Sequence, residues 1–224
     1  MIGVIIDIDD TIIETLPRTH QIMESILNRE IPYTDLHTLS QEEVFYKYAT
    51  QTQKNKFKEL RKQFFNLLLC KNEMGIELLK YDKPVPFAVD VLQKWKEVCK
   101  IIYITGRLKK IRSQTTDELR EFGFPVANTD LIMFDPSDWD SGKLLLDARK
   151  RLLFSITKHS TIVKVVDDFP GYFPAYKQVS IPDRIGIHRS KNRTKDDYIK
   201  HGATRVIESW EQLFDDPPRV LSDE

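Results

Sequence analysis

Val4-Ile5-Ile6-Asp7-Ile8-Asp9-Asp10-Thr11-Ile12 decides the reading of this 224-residue chain. An apolar run too short for most helices stops abruptly in three acids, the pattern of a buried β-strand that ends where its carboxylates begin. With a side-chain period of two, Asp7 and Asp9 are expected on the same side. Two carboxylates that close repel and resist joint ionisation unless a cation lies between them. Such a pair is costly for stability and useful for chemistry.

Working outward, the run Ile101-Ile102-Tyr103-Ile104 ends at Thr105-Gly106-Arg107, and Ile162-Val163-Lys164-Val165-Val166 ends at Asp167-Asp168. Leu131-Ile132-Met133-Phe134 is a further strand, with shorter ones at 184–188 and 203–207. Amphipathic helical patterns alternate with them. One spans 87–98, with Phe87, Val91, Leu92, Trp95 and Val98 on one face. Another carries Ile111, Thr115, Leu119 and Phe122 and stops at Gly123. A third runs from a Ser141 cap to about residue 158, and a last one lies near 208–214. This rhythm predicts a parallel sheet with helices on both faces, built from residues 1–15 and 84–214.

Residues 16–83 break the rhythm. They read as helices near 19–29, 41–50 and 54–70 with almost no strand signal, bounded by Pro17 on one side and Pro84 and Pro86 on the other. An all-helical insert is expected there, above the acidic edge, and a frayed polar tail over 215–224.

Lys+Arg and Asp+Glu both total 34, so no global field recruits nucleic acid or membrane. No run of 18 apolar residues is present, and Asp7 interrupts the N-terminal apolar stretch, so neither a membrane span nor a signal peptide is expected. Cys70 and Cys99 lie in apolar surroundings and read as buried free thiols, which suits a reducing cytoplasm.

In an open parallel sheet, ligands sit beyond the carboxyl ends of the strands. That edge would gather Asp7, Asp9, Asp167 and Asp168 with Thr105 and Gly106. Converging carboxylates call for a hard, oxygen-loving ion, Mg²⁺ by default, and no His/Cys cluster suggests zinc. The ion can hold a phosphate oxygen while Asp7 attacks phosphorus and Asp9 protonates the leaving oxygen. Thr105 and the Gly106 amide can bind the non-bridging oxygens. A cation should complete the site. Lys143 begins the helix that follows the third strand and so reaches the edge, Lys150 lies about halfway along, and Lys158 lies ~20 Å away. Asp10 reads as a turn former and Thr11 as a turn hydroxyl that orients the aspartates. Arg107 either reaches substrate or makes a structural ion pair.

Asp7-Ile8-Asp9-Asp10-Thr11, Thr105-Gly106-Arg107, Lys143 and Asp167-Asp168, in that order, resemble the four motifs of the haloacid-dehalogenase-like hydrolase superfamily. The resemblance implies a Rossmann-like core, Mg²⁺, and a helical cap over 16–83. It implies Asp7 as nucleophile and Asp9 as acid and base with its backbone carbonyl on the metal. Thr105 and Lys143 would bind phosphate, and Asp167 would ligate the ion with Asp168 beside it. Because Asp9 stands two residues after the nucleophile, phosphate-ester chemistry is favoured over dehalogenation. The expected activity is hydrolysis of a small phosphomonoester, a nucleotide or a sugar phosphate. Phosphoryl transfer to another hydroxyl, as in phosphomutases, is the alternative. A non-catalytic module that binds a phosphorylated ligand is a third, although a pure binder has no need of Asp9. The basic stretch Lys54, Lys56, Lys58, Arg61 and Lys62 mildly favours a nucleotide.

Overall fold

The computed structural model describes residues 2–135, 142–189 and 193–219, with the side chains of 142–145 outside that set. Two compact units emerge. Met1–Ile13, Pro84–Arg189 and Thr194–Glu224 form one, and Glu14–Lys83 make up the body of the other.

Strand β1 (Ile2–Asp7) leads through the two-residue β2 (Ile13–Glu14) into six helices. These are α1 (Leu16–Leu27), α2 (Tyr33–Thr38), α3 (Gln41–Tyr48), α4 (Gln51–Asn55), α5 (Phe57–Leu68) and α6 (Glu73–Glu77). After β3 (Lys83–Pro84) the alternation is strict. It runs α7 (Ala88–Trp95), β4 (Lys100–Leu108), α8 (Arg112–Glu121), β5 (Asp130–Phe134), α9 (Gly142–His159) and β6 (Thr161–Asp167). It closes with α10 (Phe173–Gln178), β7 (Asp183–Ile187), α11 (Lys195–His201) and β8 (Arg205–Ile207).

Six strands form one sheet in the order β5-β4-β1-β6-β7-β8, and every neighbouring pair is parallel. Side-chain parity splits the core into two layers. Val4, Ile6, Ile101 and Tyr103 join Val91, Leu92 and Trp95 of α7 and Leu119 of α8. Ile5, Ile102, Ile104 and Val165 join Leu153 of α9, Tyr176 of α10 and Tyr198 of α11. The sheet is therefore apolar on both faces, the signature of a Rossmann-like α/β core. The chain steps outward from β1 to β5 on one side and returns to β6 on the other. The switch point thus falls at the carboxyl ends of β1, β4 and β6.

The boundaries differ from the sequence pattern in ways that packing explains. Phe87 does not share the buried face of α7. It stands before that helix at φ 65° and is 45% exposed, while Val98 beyond the helix is 53% exposed. The β4 strand continues through Gly106 and Arg107 to Leu108, because an irregularity in its pairing with β5 absorbs the two extra residues. Helices α10 and α11, which the pattern did not reveal, contribute Phe173, Tyr176 and Tyr198 to the second core layer. The expected terminal helix is a 3₁₀ turn over Trp210–Leu213. The tail is not frayed at its start, since the Asp216 carboxylate meets Lys164 Nζ at 2.8 Å and also contacts Arg205.

The second unit has its own apolar core of Ile22, Met23, Ile26, Val44, Phe45, Phe64 and Leu67. Ser40 and Thr50 close capping boxes with Glu43 and Gln53, and these set the starts of α3 and α4. The single helix expected over 54–70 is broken at Lys56 into α4 and α5, and the Phe57 ring lies 4.9 Å from Phe45 and 5.2 Å from Tyr46. Short α2 and α6 carry too little apolar periodicity to show in the sequence. Among the described residues, no helix is long and apolar enough to cross a membrane.

Candidate active site

Parity delivers the first two acids. Asp7 lies one pleat beyond Ile5, and Asp167 one pleat beyond Val165, so both take the face covered by α9 and α10. Asp168 follows at the end of β6. One carboxylate oxygen from each of Asp7, Asp167 and Asp168 lies within 4.8 Å of the others, a spacing at which an ion can touch all three.

Asp9 is not in that group. The chain leaves the strand at Ile8, whose carbonyl accepts the amides of Thr11, Ile12 and Ile13, and Asp10 takes the left-handed conformation at φ 59°. This tight turn swings Asp9 away from the strand's parity. Its carboxylate meets Arg107 Nη2 at 2.8 Å and the Thr105 hydroxyl at 3.2 Å. The expectation of four converging acids is thereby corrected to three. Thr11 does orient the aspartates, because its hydroxyl donates to Asp7 Oδ2 at 3.2 Å and accepts the Asp168 amide at 3.1 Å.

Thr105 is fully buried at the end of the regular β4 pairing, and Gly106 follows it inside the strand. Arg107, expected either to reach substrate or to make a structural ion pair, makes the ion pair: it is buried, with its guanidinium spanning Asp9 and Glu118. Lys143 lies in the first turn of α9, and its side chain, like the expected Ser141 cap, lies outside the described residues. Both cysteines are buried thiols outside any disulfide, and burial pushes the Cys99 thiol up to about 11.

One residue was missed. Arg149, 1% exposed, donates from Nη2 to Asp7 Oδ1 and to Asp167 Oδ2, both at 2.9 Å. Its guanidinium lies 3.8 Å from the Tyr172 ring centroid, and Tyr176 donates its hydroxyl to Asp167 Oδ2 at 2.5 Å. Burial pushes the Tyr172 hydroxyl up to about 12 and raises the Tyr176 hydroxyl as well, so both remain neutral and can donate. Reading the helix by axial distance hid Arg149, because a mid-helix side chain tilts back toward the helix N-terminus and so toward the strand ends. The available signal was pattern. Arg149 is three after Leu146 and four before Leu153, a charge in the middle of the apolar stripe.

Burial first, and then the adjacent Asp167 charge, hold the Asp7 carboxyl well above the ordinary carboxylate range, although Arg149 pulls it down. This buried acid stands at the sheet's switch point, where open parallel sheets place their ligands.

Solved structures share this architecture over nearly the whole chain. A Bacteroides fragilis protein described as a haloacid dehalogenase-like hydrolase is 17% identical, with 94% of this chain and 98% of that one covered, at a TM-score of 0.58. The chain has the haloacid-dehalogenase-like fold. A Clostridium difficile protein described as a phosphatase shares that fold at 16% identity, covering 95% and 96% of the two chains, with a TM-score of 0.63. A Thermotoga maritima protein described as a β-phosphoglucomutase does so at 18% identity, covering 96% and 97%, with a TM-score of 0.57. No family model matches the sequence, and no curated protein matches it either. Within this haloacid-dehalogenase-like fold, the three acids, Thr11, Thr105 and Arg149 all stand at the carboxyl edge of the sheet.

Proposed function

We propose that the chain is a Mg²⁺-dependent phosphatase that hydrolyses a small phosphomonoester through an aspartyl-phosphate on Asp7. The supporting observation is the cluster of three carboxylates, with oxygens within 4.8 Å of one another, at the carboxyl ends of β1 and β6 beside the buried Arg149. The donors are all oxygen, which suits a hard divalent ion held by Asp7, Asp167 and Asp168, with the Asp9 carbonyl as a further ligand. When bound, such an ion supplies the positive charge that offsets repulsion between a carboxylate and a phosphate dianion.

The remaining chemistry belongs to the chain. Arg149 and Thr11 take one oxygen each of Asp7, which fixes the plane of the nucleophile. As the Asp7 O–P bond forms and the P–O bond to the substrate breaks, the bonding pair leaves with the substrate oxygen, which takes a proton from Asp9. Asp9 then accepts a proton from water as that water attacks phosphorus, and the O–P pair returns to Asp7. Thr105, the Gly106 amide and Lys143 are the groups assigned to the non-bridging oxygens, and Arg149 adds buried positive charge beside them.

Two neighbours in the fold are described as phosphatase and phosphomutase, which supports phosphoryl transfer as the general reaction. Nucleotides and sugar phosphates are the substrate classes to test. The second reading, transfer to another hydroxyl, is favoured by the phosphoglucomutase-like neighbour. A panel of phosphorylated metabolites with Mg²⁺ tests the proposal: free phosphate should appear with wild type and vanish in Asp7→Asn, with the far-ultraviolet circular dichroism unchanged. Phosphate release undiminished in that variant refutes the role of Asp7. Transfer to an added sugar phosphate in place of phosphate release supports the mutase reading.

A further inference from the structure

Asp9 belongs to a second charged assembly, separate from Arg149. Arg107 Nε donates to Asp9 Oδ1 at 3.0 Å and Oδ2 at 3.1 Å, and Nη2 donates to Oδ1 at 2.8 Å. The other arm, Nη1, is taken by Glu118 of α8. The Glu118 and Arg107 side chains are buried, at 8% and 4% exposure, while the Asp9 side chain is 29% exposed. The open end is the one that can meet a ligand. Thr105 ties the assembly to the sheet: its hydroxyl accepts the Arg107 amide at 3.1 Å and donates to Asp9 Oδ2 at 3.2 Å.

Glu118 is the part that packing alone does not explain. It lies in α8 between Thr115 and Leu119, on the buried side of the helix, and its Oε1 has no hydrogen-bond partner among the described residues. A buried carboxylate with one oxygen unsatisfied is expensive. Its Arg107 contact holds the guanidinium from behind, which leaves the planar fork one orientation in which to grip Asp9.

We infer that Arg107 and Glu118 are positioning residues that aim Asp9 at the leaving oxygen. The inference rests on the reading of Asp9 as the acid and base of phosphoester cleavage. A preset acid matters most when the departing oxygen is a poor leaving group, as in an alkyl phosphate. An aryl phosphate departs as a stabilised phenolate and needs the proton far less. The pair would therefore suit the site to alkyl phosphoesters such as sugar phosphates and nucleoside 5′-phosphates.

The experiment compares kcat/KM for an aryl phosphate (p-nitrophenyl phosphate) and an alkyl phosphate (glycerol phosphate) in wild type, Asp9→Asn, Arg107→Lys, Arg107→Gln and Glu118→Gln. General acid catalysis is worth ~10²–10⁴-fold, so the aryl-to-alkyl ratio should rise about 100-fold in Asp9→Asn. It should rise about 10-fold in both Arg107 variants, because lysine keeps the charge but not the fork, and about 3-fold in Glu118→Gln. A ratio unchanged in the Arg107 and Glu118 variants, while it rises in Asp9→Asn, overturns the positioning inference alone. A ratio unchanged in Asp9→Asn, or a wild type inert toward both esters, overturns the underlying reading of Asp9. If the Arg107 variants do not fold, Glu118→Gln, which keeps an acceptor facing Arg107, decides by the same ratio.

Discussion

Arg18 in the helical unit and Arg149 in the sheet unit are both buried almost completely, and their surroundings differ. In the helical unit, Arg18 is 2% exposed, lies 3.1 Å from Asp82 Oδ1 and donates to Cys70 Sγ at 3.5 Å. It joins the first helix of that unit to the residue before β3. In the sheet unit, Arg149 donates to both Asp7 and Asp167 at 2.9 Å, with Asp168 in the same cluster of acids, and rests on an aromatic face. The first arginine ties one unit's own elements together, whereas the second is shared by clustered carboxylates, one of which is held well above its ordinary range.

The comparison can be broken by removing each arginine. Replacing one member of a buried pair leaves the other uncompensated, so Arg18→Met should lower stability by about 3–5 kcal/mol in urea unfolding. It should leave phosphoester hydrolysis by the folded fraction intact. Arg149→Met should instead abolish measurable turnover while the protein remains folded. The idea fails if Arg18→Met inactivates the folded protein, or if Arg149→Met retains wild-type turnover.

A smaller effect sharpens the contrast. With Arg149 gone, the carboxylates of Asp7, Asp167 and Asp168 repel without relief, so added Mg²⁺ should raise the melting temperature of Arg149→Met more than that of wild type. Arg18→Met should show only the wild-type increment. Equal increments in all three proteins would remove the distinction.

The smallest effect concerns pH. Burial and Asp167 raise the Asp7 carboxyl above its unfolded value of 3.8, so above about pH 4 the folded chain holds a proton that the unfolded chain has lost. Ion-free stability therefore falls as pH rises from there through the raised folded value. Asp7→Asn should flatten that fall in chemical unfolding measured across pH in a chelator. A slope identical to wild type would show that Asp7 does not carry the strain.

Much of this could be read before any coordinates. The strand ends at Asp7 and Asp167 were legible because short apolar runs bounded by polar residues have few other solutions, and the alternation with helices set the parallel sheet; the end of β4 was not, since it runs on to Leu108. The buried state of Cys70 and Cys99 followed from their apolar neighbours. Asp9 was misjudged because period two holds only while the chain is extended, and the Ile8 turn ends it. Phe87 was misjudged because helical spacing says nothing of a left-handed residue before the helix starts. Helices α2, α6, α10 and α11 are too short for periodicity to register.

The sequence by itself determined which acids stand at strand ends and in what order, since local propensity and side-chain parity act over a few residues. Only the tertiary structure decided their partners. Arg149 reaches Asp7 across 142 positions and Arg107 reaches Asp9 across 98, because helices laid on a sheet bring long side chains to points that sequence spacing does not encode.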